Sequence, residues 1–208
     1  MPRIMAMGQL GNGLHAADHH EDALSVRETE LATLQRIDAP LAGAFKLTAQ
    51  SNLATTYDCL GRKNDALRLR RDVYSGSLRI DGQEHPETLT MANNLASSLL
   101  ALHRYAEAKS LLRNLIPVAR RVHGDSFDIT LMMRWNYASA LLGDYLNGDD
   151  KDTLDDLREA VTKLEDLAPT ARRILGGLHP IVPVIEGGLK HARAVLREAL
   201  ETQPSGDS

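Results

Sequence analysis

Apolar residues recur three and four positions apart along most of the chain, the spacing of one face of an α-helix. The clearest face comprises Leu89, Ala92, Leu95, Ala96, Leu99 and Leu102. A second face follows at Ala108, Leu111, Leu112 and Leu115. The pattern therefore predicts pairs of helices, each helix with one apolar face. Leu, Ala, Glu and Arg outnumber β-branched and aromatic residues, which favours helices over strands.

The pair pattern repeats with a period of 42 residues. Asn94-Leu95-Ala96 has counterparts in Asn52-Leu53-Ala54 and Asn136-Tyr137-Ala138. Glycines predicted to end the second helix of each pair lie at Gly82, Gly124 and Gly176, so the last interval is ten residues longer. The additional residues are polar and acidic, as expected of an insertion in a loop.

These repeats predict a single domain over residues 1–200, because one helix pair cannot bury both its faces and must stack on its neighbours. Residues 201–208 are predicted to be a flexible tail. The predicted divisions are a partial repeat at about 1–42, repeats at 43–84, 85–126 and 127–178, the last with its insertion near 143–152, and a closing helix at 179–200.

The order Asn-Leu-Ala, then Arg104-Tyr105 and Glu107-Ala108, resembles the tetratricopeptide repeat (TPR). The 42-residue period and the linking sequences "RRVHGDS" and "RIDGQEHPETLT" are similar to the longer version of this repeat in kinesin-light-chain-like proteins. The resemblance covers residues 44–178 well and both ends weakly. It implies an all-α fold, a right-handed superhelix or α-solenoid of stacked antiparallel helix pairs.

Small polar residues share one direction on each first helix, away from the leucines. In the TPR family the first helices line a concave groove, so the resemblance implies that these residues face a bound peptide. Asparagine amides can hold the main chain of an extended peptide, or can instead fix the register of the helix stack. Trp135, at the edge, is either core or an anchor for a partner. We call this predicted set the polar stripe: Thr48, Asn52, Thr55, Thr90, Asn93, Asn94, Ser97, Trp135, Asn136 and Ser139.

The formal net charge of −4 and pI near 6.1 give no electrostatic reason to expect binding to nucleic acid or to a membrane. The arginine pairs at 70–71, 120–121 and 172–173 are predicted to be solvated or to lie at helix ends. No run of eighteen apolar residues predicts a membrane span. The single cysteine, Cys59, fits a reducing compartment, and we expect a cytoplasmic protein.

Three groups of side chains are candidates for chemistry. His15 and His19 have helical spacing for zinc but lack an evident third ligand, so a polar loop and helix start is the favoured interpretation. The aspartates between 144 and 156 do not match a calcium loop and are predicted to be a solvated loop. Cys59 has no His or Asp at a position that would make it a nucleophile. We predict no enzyme, no cofactor and no metal site.

The predicted function is a protein–protein interaction scaffold or adaptor that binds a peptide segment or protein partner of unknown identity. Two alternatives stay open: an architectural subunit of a larger assembly, and a docking or regulatory fragment of a longer multidomain protein. Self-association also stays open.

Overall fold

The computed structural model of the protein describes residues 2–37, 42–147 and 154–202. These residues form nine α-helices and no strand. The helices are α1 (Pro2–Ala16), α2 (His20–Gln35), α3 (Ala42–Cys59), α4 (Lys63–Ile80), α5 (Pro86–Ala101), α6 (Tyr105–His123), α7 (Asp128–Asn147), α8 (Leu154–Leu175) and α9 (Ile181–Glu201). The predicted fold class, an all-α solenoid of helix pairs, is confirmed.

Two compact units make up the chain, divided within α5. Unit 1 is Met1–Ser98 and unit 2 is Leu99–Ser208. In unit 1, α1 packs on α2, α2 on α3, and α3 on α4; in unit 2, the same order holds from α6 to α9. Residues 148–152 of the predicted insertion and residues 203–208 of the predicted tail lie outside the described residues.

Each unit buries the apolar faces of consecutive helices against one another. One core cluster of unit 1 joins Leu53, Ala54, Tyr57 and Ala66 to Leu24, Leu31 and Leu69 on the neighbouring helices. The cluster of unit 2 includes Leu131, Ala138, Leu164, Leu167, Val182, Ile185 and Ala192. Ala66, Ala108 and Ala160 hold the same phase of α4, α6 and α8 and have no exposed surface, so helices can approach closely there.

A glycine with positive φ lies one or two residues after the second helix of each later pair. Gly82, Gly124 and Gly176 have φ of 80°, 84° and 80°, the region in which side chains with a Cβ are strained. The predicted helix ends are thereby confirmed. After two of these glycines a His-Pro pair starts the next helix: His85 Nδ1 accepts the backbone N–H of Glu87 at 3.2 Å, and His179 Nδ1 accepts that of Ile181 at 3.3 Å.

The turn within a pair uses a left-handed residue as well. Asp18, Gly61 and His103 occupy equivalent positions in three pairs, with φ of 59°, 73° and 57°. Asp and His are among the residue types that tolerate this region best apart from glycine. The three turns therefore share one backbone geometry despite different side chains.

Arginines on two second helices reach forward to hydroxyls on the next first helix. Arg27 on α2 donates to Thr56 Oγ1 on α3, and to the Asn52 carbonyl oxygen at 2.7 Å. In the equivalent phase, Arg70 on α4 donates to Ser98 Oγ on α5 and forms an ion pair with Asp58 at 2.5 Å. We call these two contacts the polar junctions.

The next two junctions are apolar at the same positions. Leu112 replaces the arginine and Ala140 the hydroxyl residue between α6 and α7, and both have no exposed surface. Leu164 and Ala192 hold these positions between α8 and α9, and belong to one core cluster. The arginine and its hydroxyl partner are thus present together or replaced together.

No helix among the described residues has the length and apolar character needed to cross a membrane.

Candidate partner-binding site

The polar stripe lies on three first helices, and its members differ in exposure. Thr48 and Thr55 on α3 are exposed. The half-buried members are Asn52, Thr90, Asn94, Ser97, Trp135 and Ser139. Asn93 on α5 and Asn136 on α7 are buried, each 6% exposed. The surface that the stripe offers is therefore concentrated on α3 and α5 in unit 1.

Four hydroxyls of the stripe donate to carbonyl oxygens of their own helices. Thr48 donates to Ala44 at 3.1 Å, and Thr55 to Ser51 at 3.1 Å. The same contact is made by Thr90 with Pro86 at 2.9 Å and by Ser97 with Asn93 at 3.1 Å. Each hydroxyl oxygen keeps lone pairs that can accept a hydrogen bond from a partner.

The asparagines fall into two groups. Within the described residues, the side-chain amides of Asn52 and Asn94 have no hydrogen-bond partner, although both are only half-buried. The buried Asn93 and Asn136 each have an interaction within the protein. Asn52 and Asn94 thus have amide donors and acceptors available, and both lie in unit 1.

A cavity of about 240 Å³ lies beside Asn52 in unit 1. α3 contributes Leu47, Thr48 and Asn52, while α5 contributes Glu87 and Met91. Asp81, after the end of α4, adds a second carboxylate. The cavity therefore joins two members of the polar stripe to apolar side chains and a negative edge, a combination that suits part of a peptide with a basic or amide group.

Trp135 does not project as a free anchor, since its ring packs on α9. A Cβ placed at Gly188 would lie 2.7 Å from two atoms of the indole six-membered ring. Trp135 is half-buried against the core cluster of unit 2. Gly188 holds the phase of the repeated asparagines, so the absence of a side chain there makes room for the indole.

A larger groove of about 630 Å³ lies in unit 2, over α7 and between α6 and α8. Sequence reasoning missed it, because most of its side chains come from second helices, whereas the polar stripe lies on first helices. The lining side chains of α6 and α8 are spaced three, four and seven residues apart, and this spacing could have indicated that they share one helix face. The lining consists of Arg113, Ile116, Pro117, Arg120, Arg134, Tyr137, Glu159, Lys163 and Asp166.

Hydrogen bonds connect the polar side chains of this groove. The Tyr137 hydroxyl accepts from Arg113 Nε at 3.1 Å and donates to Glu159 Oε1 at 3.1 Å. Burial raises the pKa of Tyr137, and the Glu159 carboxylate adds to this against the opposing effect of Arg113. Arg134, 8% exposed, donates to Asp166 Oδ2 at 2.7 Å. The floor is thus a preorganised network rather than a set of mobile charges.

The aspartates predicted as a solvated loop are in part held by the fold. Lys109 Nζ on α6 lies 2.5 Å from Asp144 on α7 and 2.5 Å from Asp156 on α8. The prediction of free solvation is wrong for these two residues, because a lysine 35 residues before Asp144 comes between them in the fold. Residues 149, 150 and 152 of the cluster lie outside the described residues.

Comparison with known proteins agrees with the repeat pattern. A sequence profile of the tetratricopeptide repeat matches residues 47–87 and 88–128. No curated protein gives a significant sequence match. Each of the two profile matches is 41 residues long, close to the spacing of the repeated asparagines.

Solved structures share the fold over nearly the whole chain. A kinesin-light-chain-like protein of Podosopora anserina with nearly identical TPR-like repeats aligns with a TM-score of 0.70, and a glutamine-to-methionine variant of it with 0.74. The identities are 21% and 20%, with 96% of this chain and 90% of that chain covered in both cases. BtubC (BKLC) of P. vanneervenii aligns with a TM-score of 0.58 at 15% identity, covering 97% of this chain and 82% of the other. Residues 47–87 and 88–128 thus each match a tetratricopeptide repeat, and the chain shares its fold with the solved kinesin-light-chain-like repeat proteins.

Proposed function

We propose that the protein is an interaction scaffold that binds an extended peptide segment of a partner protein across α3 and α5. The TPR repeats support a protein-interaction role. The observation that carries the finer proposal is the pair of asparagine amides, on Asn52 and Asn94, without a partner among the described residues. An extended peptide offers main-chain donors and acceptors at regular intervals, which match amides repeated on adjacent helices.

The surroundings of Asn52 favour a peptide with a cationic or amide-bearing side chain. The neighbouring cavity has apolar walls from Leu47 and Met91 and carboxylates from Asp81 and Glu87. A side chain entering it would bury apolar surface and meet negative charge at the edge. The exposed Thr48 and Thr55 hydroxyl oxygens, next to Asn52 on the same face, can accept further hydrogen bonds.

Selection from a library of displayed random peptides on the full chain tests this proposal. A selected peptide is synthesised and its affinity measured by fluorescence anisotropy for the wild type and for Asn52→Ala/Asn94→Ala. We expect about thirtyfold weaker binding, since each lost amide hydrogen bond contributes about 1 kcal/mol. Asn64→Ala, an exposed asparagine on α4, is the matched control and should bind normally.

Circular dichroism of each variant verifies that helicity is retained. Equal affinity of the wild type and the double asparagine variant would overturn the proposal. So would loss of affinity confined to Arg113→Ala/Lys163→Ala, because these residues line the separate groove of unit 2.

A further inference from the structure

Side chains with metal-binding atoms meet where three successive helices of unit 1 begin or end. His15 lies at the end of α1, His20 at the start of α2, and Cys59 is the last residue of α3. One ring nitrogen of each histidine and the Cys59 Sγ lie within 4.8 Å of one another. The two imidazole centroids are 5.0 Å apart, with the rings tilted by 50°.

This arrangement differs from the histidine pair suggested by sequence spacing. α1 ends at Ala16, and Asp18 turns the chain with φ of 59°. His19 consequently points to Asp22, at 3.7 Å, with its side chain 63% exposed. His20, not His19, lies beside His15, and the third side chain comes from Cys59, 39 residues further along the chain.

Both histidines have a buried nitrogen with an unused lone pair or proton. The Nδ1 atoms of His15 and His20 are buried and have no hydrogen-bond partner among the described residues. A buried polar atom without a partner costs about 1–3 kcal/mol. Coordination of a cation by these nitrogens would remove that cost. A purely structural role for the two rings leaves the cost unexplained.

Asp18 adds an outer partner of the kind that metal-binding histidines have. Its Oδ1 lies 3.6 Å from Nε2 of His20, on the opposite side of the ring from the unpartnered Nδ1. A carboxylate beside one ring nitrogen orients the other nitrogen toward a metal.

We propose that His15, His20 and Cys59 bind a zinc ion, with Asp18 as the outer partner of His20. Two imidazoles and a thiolate form a ligand set that zinc prefers. Tetrahedral coordination would bring the three ligand atoms to roughly 3.3–3.8 Å from one another. Small rotations of the three side chains would be enough to reach these distances. Cys59 is exposed, so the fourth position is open to solvent.

Titration of the full chain with Co²⁺, after treatment with chelator and reductant, tests the site. We expect one Co²⁺ per chain, a thiolate-to-cobalt charge-transfer band, and displacement by one equivalent of Zn²⁺. Cys59→Ser should abolish the charge-transfer band, and His20→Ala should weaken binding at least about a hundredfold. His19→Ala is the matched control one residue away and should retain the wild-type spectrum and affinity.

Two further measurements separate this site from binding elsewhere. Saturating Zn²⁺ should raise the midpoint of thermal unfolding of the wild type, and not that of Cys59→Ser. Asp18→Asn should weaken the affinity about 10- to 100-fold, as loss of an outer partner does. A charge-transfer band that survives Cys59→Ser, or an equal loss in His19→Ala and His20→Ala, would overturn the proposal. Since Cys59 is exposed, its serine variant tests the site without disturbing the core.

Discussion

The indole of Trp135 on α7 packs on the backbone of Gly188 on α9 and occupies the space that a side chain at residue 188 would need. Trp135 is the single tryptophan of the chain, so its fluorescence reports this contact directly. The two residues belong to repeats that otherwise carry asparagine at the phase of Gly188, and the glycine therefore has a packing function.

Gly188→Ala is expected to destabilise the protein by about 1–3 kcal/mol, because the added methyl overpacks against the indole. Urea unfolding followed by Trp135 fluorescence gives the change. Gly187→Ala is the matched control: no atom lies within 4 Å of a Cβ there, and alanine should stabilise α9 by up to about 1 kcal/mol. Equal effects of the two substitutions would contradict the packing function.

Arg70 and Ser98 should be energetically coupled. Arg70→Leu/Ser98→Ala reproduces in the second polar junction the residues that Leu112 and Ala140 provide in the next. We expect Ser98→Ala to lower the free energy of unfolding by about 1 kcal/mol more in the wild-type background than in the Arg70→Leu background. The reason is that Arg70 loses its hydrogen-bond acceptor only in the wild-type background. A double-mutant cycle from urea unfolding measures this coupling, and strictly additive costs would count against it.

Lys109 should stabilise unit 2 through its two carboxylates. Burial lowers the pKa of Lys109, but the hydrogen bonds and charges of Asp144 and Asp156 prevail and raise it. Lys109→Met should reduce the free energy of unfolding by about 3 kcal/mol, since two partly buried carboxylates lose their cation. Lys163→Met, whose side chain is 51% exposed and 3.7 Å from Glu159, should cost about 1 kcal/mol or less. A comparable loss in both variants would be evidence that the burial of Lys109 is immaterial.

Glu30 on α2 should make stability depend on pH. It is 7% exposed, its Oε2 has no hydrogen-bond partner among the described residues, and burial raises its pKa against the opposing charge of Arg27. Because the folded-state pKa exceeds the unfolded one, stability from this group is present at low pH and is lost as pH rises through the folded-state pKa.

Glu30→Gln is therefore expected to stabilise the protein at neutral pH by about 1 kcal/mol, with a gain that disappears on acidification as the native carboxyl becomes protonated. Unfolding midpoints measured across the acidic range give the dependence. Glu21→Gln, at an exposed position of the same helix, should lack this pH-dependent gain. A gain that persists at low pH would show that the charge of Glu30 is not its cause.

Helix pairs, their period and their glycine ends could be predicted because they depend on local spacing. Leu89 and Leu99 indicate an apolar helix face because they lie a few turns apart on the same helix. Gly124 indicates the end of a helix at its own position in the sequence. Because the sequence repeats, the same pattern recurs one period later, and a weak indication of a helix or a helix end in one repeat is supported by the next repeat.

The burial of individual polar residues could not be predicted in the same way. Arg70 stands beside Arg71 in the sequence, and the pair is predicted to be solvated or to lie at a helix end, yet the side chain of Arg70 is only 15% exposed. Its partner Ser98 is 28 residues away, and Cys59 is 39 residues from His20. Such contacts depend on how neighbouring helices pack, which the apolar pattern of either helix alone does not specify.

The difference between the two polar junctions of unit 1 and the two apolar junctions of unit 2 restricts which repeats can be neighbours. If a repeat from unit 1 replaced one in unit 2, a guanidinium such as that of Arg27 would meet an alanine and be buried without an acceptor, at a cost of about 3–5 kcal/mol. The reverse exchange would leave a buried hydroxyl facing leucine. Repeats of similar sequence are therefore not interchangeable. Exchanging or duplicating repeats would preserve stability only where both residues of a junction are transferred together.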